Sequence, residues 1–163
     1  MYKFDDLDRA ILHELERDAR ISFSELSRRL DTPHTTIRDR VRKMEKGGVI
    51  QGYRAIINPE QLGLNIKAIA HITRDQTVSL ADITSEPRRL PEITRIQVLT
   101  GEVDELITFY ARNVEHLKEI IYDEFGAIPG VVKMSTSIVL EEREFCLVGH
   151  DEEEDVGVDV ELD

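Results

Sequence analysis

Apolar residues recur at helical spacing three times within the first fifty positions. Leu7, Ile11, Leu12 and Leu15 form one stripe, which predicts a helix from about Asp6 to Asp18. Asp5, Asp6 and Asp8 sit where the positive end of the helix dipole favours acids. Ser22-Phe23-Ser24-Glu25 is a capping-box pattern and opens a second helix, with Leu26 and Leu30 on its apolar face. Asp31-Thr32-Pro33 breaks that helix. Thr32 is placed to cap a third one, and Pro33 fits its first position. The third helix runs from about Pro33 to Lys46 on a core stripe of Ile37, Val41 and Met44, and Gly47-Gly48 ends it. Val49 to Ile57 then reads as a hairpin turning near Gln51-Gly52. A tight turn between helices, a third helix and a following hairpin together predict a winged helix-turn-helix over residues 1–57.

After the turn-rich segment 58–66, the period changes from helical to alternating. Residues 67–134 carry a faint duplication at an offset of 38. Lys67 to Arg74 matches Glu105 to Arg112 in pattern, and Leu90 to Ile96 matches Ile128 to Met134. Each copy reads as a strand, a helix, a proline and a second strand, with helices at about Val78–Leu90 and Val114–Ala127. Two copies predict βαββαβ, so the fold class is α+β, the second domain being a ferredoxin-like sandwich over 67–141. That topology leaves one sheet face without helices. Pairing two such faces makes a homodimer, which suits a two-fold DNA site.

Charge changes the picture. The chain of 163 residues has a net charge of −12, which argues against a nucleic-acid partner until its distribution is read. Residues 20–54 hold nine basic side chains against four acidic ones. Residues 141–163 hold eleven acids against Arg143 alone, so 142–163 reads as a solvated acidic tail. A basic block inside an acidic chain is the footprint of a module that binds a polyanion. Excess acid with 15 arginines and only six lysines points to a halophilic host. The absence of a signal-peptide pattern or an apolar run long enough to span a membrane, with the single Cys146, points to the cytoplasm.

On the third helix the face opposite the core carries Thr35, Arg38, Asp39, Arg42 and Lys46. Arginine can bond guanine bidentately, and threonine can meet a thymine methyl. His34, Thr35 and Thr36, near the helix start, are best placed for base edges. Arg28, Arg29, Arg40 and Lys43 are assigned to phosphates, and Arg54 reaches the backbone from the hairpin. In a salt-rich cytoplasm the Debye length falls to about 3 Å at 1 M. Thr35, Thr36 and Arg38 are then expected to matter more than Arg28 or Arg29. The turn Thr100-Gly101-Glu102-Val103-Asp104 has two readings: plain turn chemistry, or a loop whose backbone and carboxylates hold a ligand's amino group.

Asp8, Ile11-Leu12, Leu15, Asp18 to Ser22, Glu25 to Ser27, Arg40-Val41, Met44-Glu45, Gly48 to Ile50 and Tyr53-Arg54, with the Gly101–Asp104 turn, strongly resemble the Lrp/AsnC regulators. Their acidic setting suggests a haloarchaeal member. The resemblance covers about residues 4–141. It implies a transcriptional regulator that forms dimers, tetramers or octamers, with a C-terminal domain that binds an amino-acid effector at subunit interfaces. It places Gly101, Glu102, Val103 and Asp104 in that pocket, with Thr136 and Ser137 lining the interface. Asp31 stands where a turn glycine is usual, a left-handed position that Asp can adopt. Val103 replaces a frequent tyrosine, so the pocket is expected to be altered or unused.

The rival readings are an enzyme, a ligand-independent architectural protein and a detached metabolite-binding accessory subunit. The histidines His13, His34, His71, His116 and His150 lack metal-site spacing, and no phosphate-cradling glycine loop or nucleophile motif is present. No catalytic, metal or cofactor site is therefore expected. An architectural protein needs a broad basic surface, and only residues 20–54 qualify.

Overall fold

The computed structural model describes residues 3–75, 90–128 and 130–148. They fall into two compact units, one of residues 3–56 with 143–148 and one of the described residues between 57 and 142.

In the first unit α1 spans Asp6–Arg17, α2 Phe23–Arg29 and α3 His34–Lys46. Ile11, Leu15, Leu26, Ile37, Val41 and Met44 form the buried core between them. The capping box belongs to α1: the Asp8 amide donates to Asp5 Oδ1 at 2.9 Å, and the Asp5 amide donates to Asp8 Oδ2 at 3.2 Å. At α2 only half of the expected box forms. Ser22 Oγ accepts from the Glu25 amide at 3.1 Å, while the Glu25 carboxylate turns to Arg28 and Arg29.

Two further expectations are corrected. Thr32 does not cap α3: its hydroxyl donates to the Leu30 carbonyl, and its own carbonyl accepts from Ser27 Oγ at 2.6 Å. Those bonds lock Thr32 into the turn, so Pro33 takes the cap position. Asp31 holds the turn with φ of +44°, a left-handed conformation that Asp tolerates better than most residues. The hairpin expected over Val49–Ile57 does not form either, and no strand is paired there. The Val49 and Ile50 amides donate instead to the Met44 carbonyl at 2.9 and 3.2 Å, folding the chain back under α3. A lone two-stranded hairpin is marginal without a third strand, so that tie decides the local structure.

The second unit starts with a short 3-10 turn, Pro59–Leu62, inside the segment expected to be a linker. Strands β1 Ile66–Arg74, β2 Ile93–Val98, β3 Glu105–Ala111 and β4 Val131–Ile138 make one antiparallel sheet in the order β2-β3-β1-β4. Helix α4, Val114–Glu119, widens into a π-helical turn over Ile120–Phe125. Gly126 closes that turn, and a Cβ there would meet the Tyr122 carbonyl oxygen at 2.5 Å. The core lies on one sheet face, with Ala68, Ala70, Ile72, Ile107 and Phe109 packed against Leu117, Ile120 and Phe125. Phe109 and Phe125 meet edge to face at 5.1 Å. The opposite face, with Ile69, His71, Leu106, Thr108 and Tyr110, is only half-buried. This is the ferredoxin-like arrangement expected from the duplication. The helix expected at 78–90 falls outside the described residues, except for Leu90, which packs against the core.

The left-handed Asp31 gives the first prediction. Glycine escapes the steric cost of that backbone, which reaches about 1 kcal/mol for other residues. Asp31→Gly should raise unfolding stability in urea by about 0.5 kcal/mol, whereas Asp31→Val should lower it.

Candidate nucleic-acid interface and ligand loop

Helix α3 turns Ile37, Val41 and Met44 inward. On its other side Thr35, Asp39, Arg42 and Lys46 are exposed, while Thr36 and Arg38 are half-buried. His34 is exposed, its ring edge-on to Phe23 at 6.1 Å. Arg38 Nε lies 3.7 Å from Asp39 Oδ1, is itself buried, and makes no hydrogen bond. Arg42, Lys43 and Lys46 carry no ion pair among the described residues and face solvent. Arg54 is exposed in the segment that replaces the hairpin, where the Tyr53 hydroxyl donates to Glu45 Oε1 at 3.1 Å.

Arg28, Arg29 and Arg40 are bound within the domain. Arg28 grips Glu25 with two bonds of 2.6 and 3.0 Å. Arg29 reaches Glu25 at 2.9 Å and Glu14 of α1 at 2.7 Å. Arg28, and then Arg29, pull the Glu25 carboxyl down to about 2. This cluster stabilises the fold fully above the ordinary carboxylate range and loses its effect as pH falls toward 2. Arg40 points back to α1, where Nη1 contacts Asp5 Oδ2 at 2.5 Å and both oxygens of Asp8 at 3.3 Å. Asp8 is fully buried. The Asp8 amide and Arg40 both hold the Asp5 carboxyl below its ordinary value, the amide more strongly.

In the second unit Gly101 has φ of +139°, and a Cβ there would meet nothing within 4 Å, so the turn is open to solvent. Asp104 anchors it: Oδ2 accepts from the Arg74 amide at 2.9 Å, and the Asp104 amide donates to the Ile72 carbonyl at 2.9 Å. Thr73 Oγ1 donates to the Glu102 carbonyl at 3.3 Å. Glu102 is exposed and Val103 half-buried. Thr136 and Ser137 are not brought together. Thr136 pairs with Ala70 on the core side, its hydroxyl buried without a hydrogen bond. Ser137 lies on the open face, with Oγ 3.5 Å from His71 Nε2.

One charged group beside this loop escapes a reading by residue type. Glu105 is fully buried, and neither carboxylate oxygen has a hydrogen-bond partner. Burial pushes its carboxyl up, Arg74 opposes that shift and Asp104 adds to it. The signal was present in the alternation, since Glu105 shares the parity of Ile107 and Phe109. His116, by contrast, is structural: Nδ1 accepts from the Arg112 amide at 3.2 Å, and Nε2 lies 3.5 Å from Glu92. Among the described residues, no group of three or more His, Cys, Asp or Glu is placed to hold a metal, and no helix is long and apolar enough to cross a membrane.

The AsnC-type helix-turn-helix profile matches residues 4–45, and the Lrp/AsnC ligand binding domain matches residues 67–144. The chain belongs to the Lrp/AsnC family. An HTH-type transcriptional regulator of Pyrococcus abyssi is 34% identical over 137 residues, covering 84% of this chain and 86% of the relative. AsnC of E. coli superposes with a TM-score of 0.78 at 28% identity, covering 88% of this chain and 97% of AsnC. A Neisseria meningitidis transcriptional regulator, solved as its L-Met complex, superposes with a TM-score of 0.82 at 25% identity, covering 91% of this chain and 97% of that one. This Lrp/AsnC protein is therefore a transcriptional regulator that joins a DNA-binding helix-turn-helix to a ligand-binding domain.

Two variants check the assignments within the Lrp/AsnC units. Arg40→Ala removes the cation facing the buried Asp8, which keeps its capping bond to the Asp5 amide, and should cost roughly 1–3 kcal/mol in urea unfolding, whereas the exposed Arg42→Ala should stay within about 0.5 kcal/mol. For Glu105, the native state binds the proton more tightly, so stability falls as pH rises above the ordinary carboxylate value. Glu105→Gln removes that loss. Its stability advantage over the parent should be absent at acid pH and grow toward neutrality in paired thermal melts.

Proposed function

We propose that the outward face of α3 enters the major groove of duplex DNA. His34, Thr35, Thr36 and Arg38 address base edges, beside Asp39. Arg42, Lys43, Lys46 and Arg54 neutralise phosphates. The observation carrying this reading is the division of the basic residues. Arg28, Arg29 and Arg40 are held by acids of the same domain, while Arg42, Lys43 and Lys46 face solvent without ion pairs among the described residues. A cation already paired gains less from a phosphate, because its partner must first be released.

The half-buried sheet face of the second unit pairs two copies, and a dimer places two reading helices on successive turns of a two-fold site. An amino acid is the effector, held at the Gly101–Asp104 turn, where backbone is open and the Glu102 carboxylate is exposed. The L-Met complex of the Neisseria relative supports that ligand class. Binding acts through different affinities for two arrangements of the assembly.

Arg38→Ala and Arg42→Ala should each weaken binding to a selected promoter fragment by about tenfold, the loss expected for one good contact. Arg28→Ala should change it less than threefold under the same salt conditions, because Glu25 already holds that guanidinium. Fluorescence anisotropy measures both, and equal losses from all three would contradict the assignment. A thermal-shift screen should find at least one amino acid that stabilises the protein by about 2–3 kcal/mol at a hundredfold excess over its Kd. Asp104→Ala should abolish that shift.

A further inference from the structure

The acidic tail is tied to the DNA-binding unit by a contact that the regulatory function does not require. Glu16 of α1 accepts two backbone hydrogen bonds, from the Leu147 amide at 3.1 Å and from the Val148 amide at 2.9 Å. Such paired bonds to one carboxylate fix a segment's position as well as holding it. Val148 is half-buried there. With Leu147 it lines a cavity of about 410 Å³ whose other walls include Leu12 and Leu15 of α1 and the segment Val49–Tyr53. That segment leaves the end of α3 and is bound to it through Met44 and Glu45. The chain therefore departs from Val148 beside the C-terminal end of α3.

Beyond Val148 the chain has fifteen more residues, 149–163, with eight acids, among them the run Asp151-Glu152-Glu153-Glu154-Asp155, and no lysine or arginine. Extended, fifteen residues reach about 50 Å. Helix α3, thirteen residues long, spans only about 20 Å. Tethering over this length holds the tail residues at an effective concentration on the order of millimolar. Among the described residues, the cations of α3 that carry no ion pair are Arg42, Lys43 and Lys46, three of those assigned to phosphates; Arg9, which lines the cavity, and Arg54 are also exposed without an ion pair.

We infer that the tail over 151–163 docks on the outward face of α3 as an intramolecular polyanion, anchored through Glu16, and competes with DNA for that face. This rests on α3 being the DNA-reading helix. Both partners of the contact are ionic, so its strength falls with salt, and the tail is released as ionic strength rises. An intramolecular competitor subtracts equally from every DNA affinity. Weak, non-specific duplex then drops out of occupancy while a well-matched site stays bound.

The test uses the full chain with Cys146→Ser and Gly157→Cys, a nitroxide being attached at the new thiol. In free protein at about 50 mM salt, amide signals of residues 34–46 should be broadened selectively. They should sharpen on adding promoter DNA, and again at about 1 M KCl. Glu16→Ala should spread the broadening away from α3. In parallel, a stop after Val148 should tighten DNA binding by about tenfold at low salt and less than twofold at 1 M. Selective broadening that is lost in Glu16→Ala supports the inference. Unbroadened α3 signals, or broadening indifferent to Glu16, would overturn it. If neither full-length nor shortened protein binds duplex DNA, the DNA assignment fails, while the broadening still decides where the tail lies.

Discussion

The pairing of Arg40 with Asp5 and Asp8 is the constraint on which the DNA-binding unit depends. Those two carboxylates close the capping box at the start of α1, so each already satisfies a free helix amide. Their proximity leaves two negative charges side by side, one of them fully buried. Arg40, from the middle of α3, supplies the compensating charge. One guanidinium therefore stabilises a helix start and fixes the roll of a second helix about its own axis. With Ile37, Val41 and Met44 seated in the core, that roll decides which side chains of α3 face outward.

Charge in this unit is sorted by position. Acids of α1 and α2 take up Arg28, Arg29 and Arg40, while the cations of the third helix's outer rim face solvent. The internal pairs are short-range and well aligned, so screening weakens them less than it weakens an approaching phosphate. The second unit carries the opposite device. Its sheet buries Glu105 without a hydrogen-bond partner beside a loop pinned by Asp104 and Arg74, an energetically costly group next to the expected ligand turn.

Much of this was legible in the sequence. The three apolar stripes located α1, α2 and α3 because core packing and helical period impose the same spacing. The offset of 38 located the sheet: β2 begins at Ile93 and β4 at Val131, one repeat apart. Asp31 in a left-handed turn followed from the residue's tolerance of that backbone. The expectations that failed were decided by competition for hydrogen bonds. Val49 and Ile50 have strand propensity, yet their amides are taken by Met44, and Thr32 is held by Ser27 before it can cap α3. The destination of Arg40 was illegible for a different reason. Helical spacing places it near the core edge, but only the fold brings Asp5 and Asp8 within reach across more than thirty residues. Thr136 and Ser137, adjacent in sequence, point to opposite faces because a strand alternates.

The central claim is that α3, held by its inner arginine, presents its outer face to a major groove. Hydroxyl-radical footprinting of a bound promoter fragment tests it most directly. Two protected windows spaced by about one helical turn, ten base pairs or a multiple, on the same face of the duplex are predicted. Uniform protection along the fragment, or none at any ionic strength at which the protein stays folded, would contradict it.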